Sequence, residues 1–219
     1  MEYTESVKMH DGISDQTANN NQVTICGKII SRFKFSHQFY GVSFYMIYVQ
    51  SERLSGAVDI IPVMVSEKTL DINEDIRGMS VIVTGPFRSY NEHEGQKSKL
   101  VLSVYARKIT FIDDSTEYAE SNQIFLDGYI CQSPIYRTTP LGRQITDILI
   151  AVNRPYGKTD YIPCICWGKD AMYASCLDVG NHIQIWGRIQ SRNYLKMTPD
   201  GESEEKTAYE VSAKSIEIS

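Results

Sequence analysis

NQIFLDGYI, residues 122–130, places Ile124, Leu126, Gly128 and Ile130 on one side and their neighbours on the other. That is the period of a half-buried β-strand. The stretch has a twin in NQVTICGKI, residues 21–29, where Val23, Ile25, Gly27 and Ile29 hold the same places. Asn21 to Asn122 is a step of 101 positions, and so is Pro62 to Pro163, which links VDIIPVMV (58–65) to TDYIPCIC (159–166). RGMSVIVTGPF (77–87) returns as VGNHIQIWGRI (179–189), one position further on, and LVLSVYARKITFI (100–112) resembles TAYEVSAKSIEI (207–218). Four collinear matches at a near-constant offset mean two copies of one domain.

Each copy reads as β. After the first strand comes a second at 143–152 (42–50 in copy one), then a third centred on Ile162 (Ile61). In GKDAMYASCLDVG (168–180), Ala171, Ala174 and Leu177 fall at helical spacing and Gly180 suits a helix stop. A fourth strand spans 182–194, the turn TPDGESEE follows, and a fifth strand spans 207–218. Five strands with a helix between the third and fourth is the element order of an OB-fold barrel. A β-sandwich would need more strands per copy. The expected architecture is therefore all-β: two tandem five-stranded OB-fold barrels, each with a short helix between strands 3 and 4. The expected divisions are a disordered polar lead (1–19), barrel one (20–112), an acidic linker (113–121, with DDSTEYAES) and barrel two (122–219).

The chain has 219 residues, 42% hydrophobic and 22% charged, with a formal net charge of −5. Acidity speaks against nucleic acid as a partner, but Glu2, Glu5, Asp11 and Asp15 stand in the lead and Glu117 and Glu120 in the linker. The barrels themselves are near neutral. No apolar run nears the ~20 residues that cross a bilayer, and no secretory pattern opens the chain, so the expected location is cytoplasmic. Five cysteines, an odd number, fit reduced thiols. They are expected as buried small hydrophobes rather than zinc ligands. His182 shows no Ser or Cys pairing, and Asp160, Asp170 and Asp178 form no metal pattern and are expected to be solvated. No enzyme activity, metal or cofactor is expected.

Strand alternation sorts the faces. On 182–194, Ile183, Ile185, Gly187 and Ile189 lie opposite His182, Gln184, Trp186, Arg188, Gln190, Arg192 and Tyr194. The second set mixes rings with arginines, as a surface that stacks bases and meets phosphates would, though rings also pack barrel ends. On the third strand Tyr161, Pro163, Ile165 and Trp167 oppose Ile162, Cys164 and Cys166. Copy one has Ile60 for Tyr161 and Ser66 for Trp167, and carries its rings in RFKFSHQFYGVSFYMIY (32–48) instead. Arg32, Phe39, Tyr40, Arg88 and Tyr90 are its candidates for a second stacking surface or a subunit contact.

NQIFLDGYICQSPIYRTTPLGRQITDILIAVNRPY, YIPCICWGKDA, GNHIQIWGRIQSRNY and AYEVSAKSIE together resemble the bacterial single-stranded DNA-binding protein family across copy two. Copy one resembles it only through the repeat. The resemblance implies sequence-tolerant binding and protection of single-stranded DNA in replication, recombination and repair. It implies base stacking on Tyr156, Tyr161, Trp167 and Tyr194, and phosphate contacts from Arg137, Arg143, Arg154, Lys158, Arg188 and Arg192. It also implies a homodimer presenting four barrels. The family's acidic recruiting tail has no counterpart in KSIEIS, so DNA binding without that recruitment is expected unless the acidic N-terminus or another surface substitutes for it in meeting replication or repair proteins. The alternative is an OB-fold assembly module of a replication or recombination complex.

Overall fold

The computed structural model describes residues 19–94, 97–113, 121–197, 201 and 203–219. The polar lead up to residue 18, most of the linker (114–120) and much of the 198–202 turn lie outside the described residues. The first half contains β1 (Asn21–Ile29), β2 (Lys34–Phe39), β3 (Val42–Glu52), β4 (Val58–Ser66), β5 (Ser80–Gly85), β6 (Phe87–Glu94), β7 (Lys97–Tyr105) and β8 (Lys108–Ile112). The second contains β9 (Asn122–Thr138), β10 (Gln144–Asn153), β11 (Thr159–Trp167), α1 (Gly168–Ala174), β12 (His182–Met197) and β13 (Ser203–Ile218).

In the second half, five strands close a ring. β9 pairs with β10, β10 with β11, β13 with β12 and β12 with β9, all antiparallel, while β11 and β13 pair parallel. The inward set is the alternating one: Ile124, Leu126, Ile130, Ile162, Ile183 and Ile185 are buried, each side chain contributing roughly 1.5–3 kcal/mol by leaving water.

The first half closes the same ring with interrupted strands. β1 pairs with β3, β3 with β4, β4 with β7 in parallel, and β8 with β5, which returns to β1. β7 and β8 are one strand broken at Ala106–Arg107, and β5 and β6 are one strand broken at Pro86, which has no N–H for a ladder. Gly85 and Gly187, partners in the repeat, sit where two backbones nearly touch. A Cβ would lie 2.0 Å from Tyr105 O at the first and 2.3 Å from Ser212 O at the second.

Only copy two carries the expected helix. There α1 buries Ala171 and Ala174, and Thr146 Oγ1 donates to Ala171 O at 2.6 Å. The corresponding residues of copy one, 67–79, form turns, which corrects the expectation of a helix in each copy. The reason is local. Asp71 accepts from the Asn73 backbone N–H at 3.0 Å, and Asp75 accepts from the backbone N–H of Arg77 and grips its guanidinium. Such short-range side-chain bonds compete with helical ones. Ile76 is buried in this segment and Leu70 packs against the core from it.

The two rings join where β1 pairs antiparallel with β9, from Asn21↔Leu126 to Ile25↔Asn122, making one continuous sheet. Repeat-related residues meet across this seam in reciprocal fashion. Asn21 exchanges two hydrogen bonds with the Phe87 backbone at 2.7 Å, and Asn122 does the same with Ile189 at 2.7 and 3.0 Å. Asp59 accepts from the Ser191 backbone N–H at 2.9 Å, and Asp160 from that of Ser89 at 2.6 Å. This is the self-complementary pattern of a two-fold interface, built within one chain. Among the described residues no helix is long and apolar enough to cross a membrane.

Candidate nucleic-acid interface

On copy two the four ring positions sit on the outside of the barrel. Tyr156 occupies a single 3₁₀ turn, Pro155–Gly157, at the β10–β11 tip and is fully exposed. Its φ of +64° is the left-handed region that a side chain rarely enters. The Arg154 N–H to Lys158 O hydrogen bond, 2.7 Å, closes the tip beneath it. Tyr161 is exposed on β11 while its backbone N–H donates to Ser89 Oγ at 2.7 Å. Trp167 ends the same strand on the same side, half-buried, its indole N–H donating to Ser212 Oγ at 3.1 Å. That bond fixes the ring plane and leaves part of it to solvent. Tyr194 is exposed on β12, with the Arg192 Cζ 5.9 Å from its ring centroid, near enough for a cation–π contact.

The cations divide into two groups. Arg143, Lys158 and Arg192 are exposed. Arg143 lies at the β9–β10 turn, where its backbone N–H donates to Thr139 Oγ1 at 3.0 Å. Arg137 is forked onto Asp147 at 2.6 and 3.2 Å, a hydrogen bond that raises its pKa above the ordinary guanidinium value. Arg154, expected at phosphates, and Arg88, a candidate of copy one's surface, point elsewhere. Arg88 donates to Asp160 Oδ2 at 2.7 Å, and Arg154 donates to both oxygens of the same carboxylate and to Ser89 O. Asp160, expected to be solvated, is 0% exposed. A carboxylate sealed between two barrels holds its arginines in place, because leaving either ion unpaired there is costly. This corrects the expected placement of Asp160, Arg154 and Arg88.

Asp59 is the same device in copy one, 0% exposed and gripped by Arg53 at 2.6 and 2.7 Å. The pair Arg53/Asp59 and the pair Arg154/Asp160 have the same six-residue spacing, a signal in the repeat that could have marked both as structural. Arg188, on β12, stands beside this second cluster with a buried Nε that has no hydrogen-bond partner. Gln190, expected on the outer face, is buried and donates to Glu210 at 2.6 Å; Ile165 is buried too. The irregularity beside Trp186 puts its extra residue, Lys214, on β13, so β12 keeps its alternation, with Ile183, Ile185 and Ile189 all buried. His182, in which no Ser or Cys pairing was read, lies 2.5 Å from Asp127 and stacks on Tyr129 with centroids 4.5 Å apart.

In copy one Tyr40 tops the β2–β3 tip, with φ +47° and its ring in solvent, against exposed Phe39 with centroids 4.4 Å apart. Phe35, also exposed, meets Tyr45 edge-on at 5.7 Å. Tyr90 is exposed at its rim, and the burial of the rest pushes its phenol up. Arg32 is exposed beside Asp75 at 3.8 Å. Tyr105 escaped the sequence reading. It faces Met64 in the parallel β4–β7 ladder as Ser212 faces Ile165 in β11–β13, and its ring lies 6.0 Å from that of Phe44.

The cysteines divide by depth. Cys164 and Cys166 are buried, and burial pushes the first thiol well up and the second to about 12. Both stay protonated, which suits packing rather than metal binding or nucleophilic work. Cys26 and Cys131 are part-buried, whereas Cys176 is exposed, unlike the buried site expected of it.

Residues 121–219 match the model of the single-strand binding protein family. Similar proteins include single-stranded DNA-binding protein 3 of Listeria innocua, 35% identical over 80 residues, covering 33% of this chain and 50% of that one. Another is the single-stranded DNA-binding protein of Oceanobacillus iheyensis, 34% identical over 106 residues, covering 44% of this chain and 62% of that one. The match thus spans between half and two thirds of these relatives' length. The crystal structure of the wild-type single-stranded DNA binding protein from Thermus aquaticus superposes with a TM-score of 0.71 at 20% identity, covering 91% of this chain and 92% of that one. That likeness shows a shared, mostly β fold of the OB type.

Proposed function

We infer that this protein binds single-stranded DNA, because its C-terminal barrel, residues 121–219, matches the model of the single-strand binding protein family. The reading is of a binder and not an enzyme, serving replication, recombination and repair in the cytoplasm at the nucleoid. The two closed rings are tandem OB-fold barrels, over 20–112 and 122–219, with a lead at 1–19 and a linker at 113–121. Bases stack on Tyr156, Tyr161, Trp167 and Tyr194, and phosphates meet Arg143, Lys158 and Arg192, with Arg137 drawn from Asp147 as the strand arrives. In copy one, Phe39, Tyr40, Tyr90 and Arg32 offer a second, weaker platform. A second copy of the chain covering the Trp186–Phe125 face gives a dimer with four barrels; those two rings lie 5.1 Å apart beside the β1–β9 seam.

One observation carries the reading of the site. Rings on a rigid barrel face are held open to solvent, Tyr156 at the cost of a left-handed backbone. Stacking is worth ~1–3 kcal/mol per base and tolerates any base. Adding poly-dT while following tryptophan emission at two salt concentrations tests it. The expected result is quenching by Trp167, indifferent to base identity and weakened by salt. Unchanged emission together with no retention of labelled poly-dT overturns the function.

A further inference from the structure

Ser89, on β6 of the first barrel, is buried, and its three polar groups all reach the second barrel. Its N–H donates to Asp160 at 2.6 Å, its Oγ accepts the Tyr161 N–H at 2.7 Å, and its carbonyl accepts from the Arg154 guanidinium at 2.7 Å. Arg154 on one side and Asp160 with Tyr161 on the other are the two stems of the tip that carries Tyr156 and Lys158. The bond from Arg154 N–H to Lys158 O closes that tip, so it moves as one piece with its stems. The described ladder from β11 to β13 begins only at Cys164, and the Tyr161 N–H finds its acceptor in the other barrel instead. A part-buried N–H that loses its acceptor is under pressure to find another, and the ring on the same residue moves with it.

The repeat supplies the same brace in reverse. Ser191, on β12, donates its N–H to Asp59 at 2.9 Å, and its Oγ accepts the Ile60 N–H at 3.0 Å. The tip held in this way carries Ser55 where its sister carries Tyr156, and it is followed by Ile60 where its sister has Tyr161. The two braces use the same atoms of the same residue type, but only the one made by Ser89 ends on rings. Both of those rings are exposed, so nothing packed over them sets their place. A ring held in its bound setting before a base arrives binds better than one that must first be ordered.

We propose that Ser89 is a positioning residue for the second barrel's DNA face: from the first barrel it presets the tip that presents Tyr156 and Tyr161 to the bases. The proposal rests on the DNA-binding reading above. It gives the first barrel a part in that binding which needs no contact between Ser89 and DNA. Ser191, the counterpart, presets a tip without rings and contributes to stability alone.

The test uses the full chain and a labelled oligo-dT of about 35 nucleotides, long enough for both barrels at roughly 4–16 each. Affinity is read by anisotropy and folding by thermal melting, for the wild type, S89A and S191A. Each substitution removes one hydroxyl and one hydrogen bond across the seam. S89A is expected to bind about fivefold more weakly, within one stacked base's worth, and S191A to bind as the wild type does, although both melt earlier. A second comparison isolates the rings. Y156S/Y161I gives the second barrel the tip residues of the first, and adding S89A to it is expected to change the affinity no further. A loss in S191A as large as that in S89A, a loss from S89A that persists in full without the two rings, or no loss in S89A overturns the brace while leaving DNA binding in place. If S89A does not fold, S89C takes its place under the same outcomes, because it keeps the shape and sulfur is a weaker acceptor. A wild type that does not bind oligo-dT overturns the function itself.

Discussion

The two copies put a tyrosine in solvent at different corners of the same ring. In copy one it is Tyr40, before Gly41, at the tip between β2 and β3; the matching place in copy two holds Leu141, before Gly142. In copy two it is Tyr156, before Gly157, between β10 and β11; the matching place in copy one holds Ser55, before Gly56. All four glycines are left-handed, because the tight tip demands that backbone and glycine supplies it without a Cβ clash. The residue before the glycine differs between the tips: Tyr40 and Tyr156 are themselves left-handed, at φ +47° and +64°, whereas Leu141 and Ser55 are not. The ring therefore travels with a particular tip backbone, placed at a different turn in each copy. A second exchange lies across the parallel ladder, where copy two has Trp167 against Ser212 while copy one has Ser66 and places its ring, Tyr105, at the Ser212 station. The copies differ in where they carry rings more than in whether they carry them.

The largest test of this comparison concerns the seam. Asp160 takes three guanidinium bonds from two arginines and Asp59 takes two from one. D160A is expected to destabilise the chain by ~3–5 kcal/mol, the cost of breaking a buried ion pair from one side, and D59A by clearly less. Urea unfolding of both variants ranks them. Equal losses would mean the two ends are energetically alike despite their different arginine bonds.

Next come the two glycines that let the second strand of each ring fold over the first. A Cβ at Gly27 would lie 2.1 Å from Gln50 O, and one at Gly128 would lie 2.6 Å from Ala151 O. Both contacts are with backbone, which cannot turn away as a side chain can. G27A and G128A are each expected to lower stability by about 1–3 kcal/mol, with G27A the larger. Thermal melting that shows G128A as the worse variant would mean copy two is the less yielding barrel.

The smallest effect comes from trading tip residues between the copies. Y156S and Y40L each give one copy the residue of its sister and leave the glycine untouched. Stability should hold. Poly-dT affinity should fall about fivefold in Y156S, near the lower end of a stacked base's worth because the ring is so open, and by less in Y40L. A larger loss in Y40L would make copy one the principal platform.

Much of the fold was legible in the chain. Alternation located the strands, the 101-residue offset gave the doubling, and Ala171, Ala174 and Leu177 marked the helix that forms. The helix expected in copy one failed because Asp71 and Asp75 bond locally, a competition that spacing alone does not display. At the site, the outward placement of Tyr161 and Tyr194 followed from strand parity, and that of Tyr156 from the family resemblance. Parity misled at Gln190 and at Ile165, whose outward positions are covered.

The sequence by itself determined that there are two like barrels, where their strands run, and which side chains can face outward, because period and turn residues act over a few positions. Only the tertiary structure decided which arginines remain open to an anion. Arg88 meets Asp160 across 72 positions of chain, while among the described residues the buried Arg188 Nε has no hydrogen-bond partner. A guanidinium's availability depends on the charge that folding brings beside it, and local alternation carries no record of that neighbour.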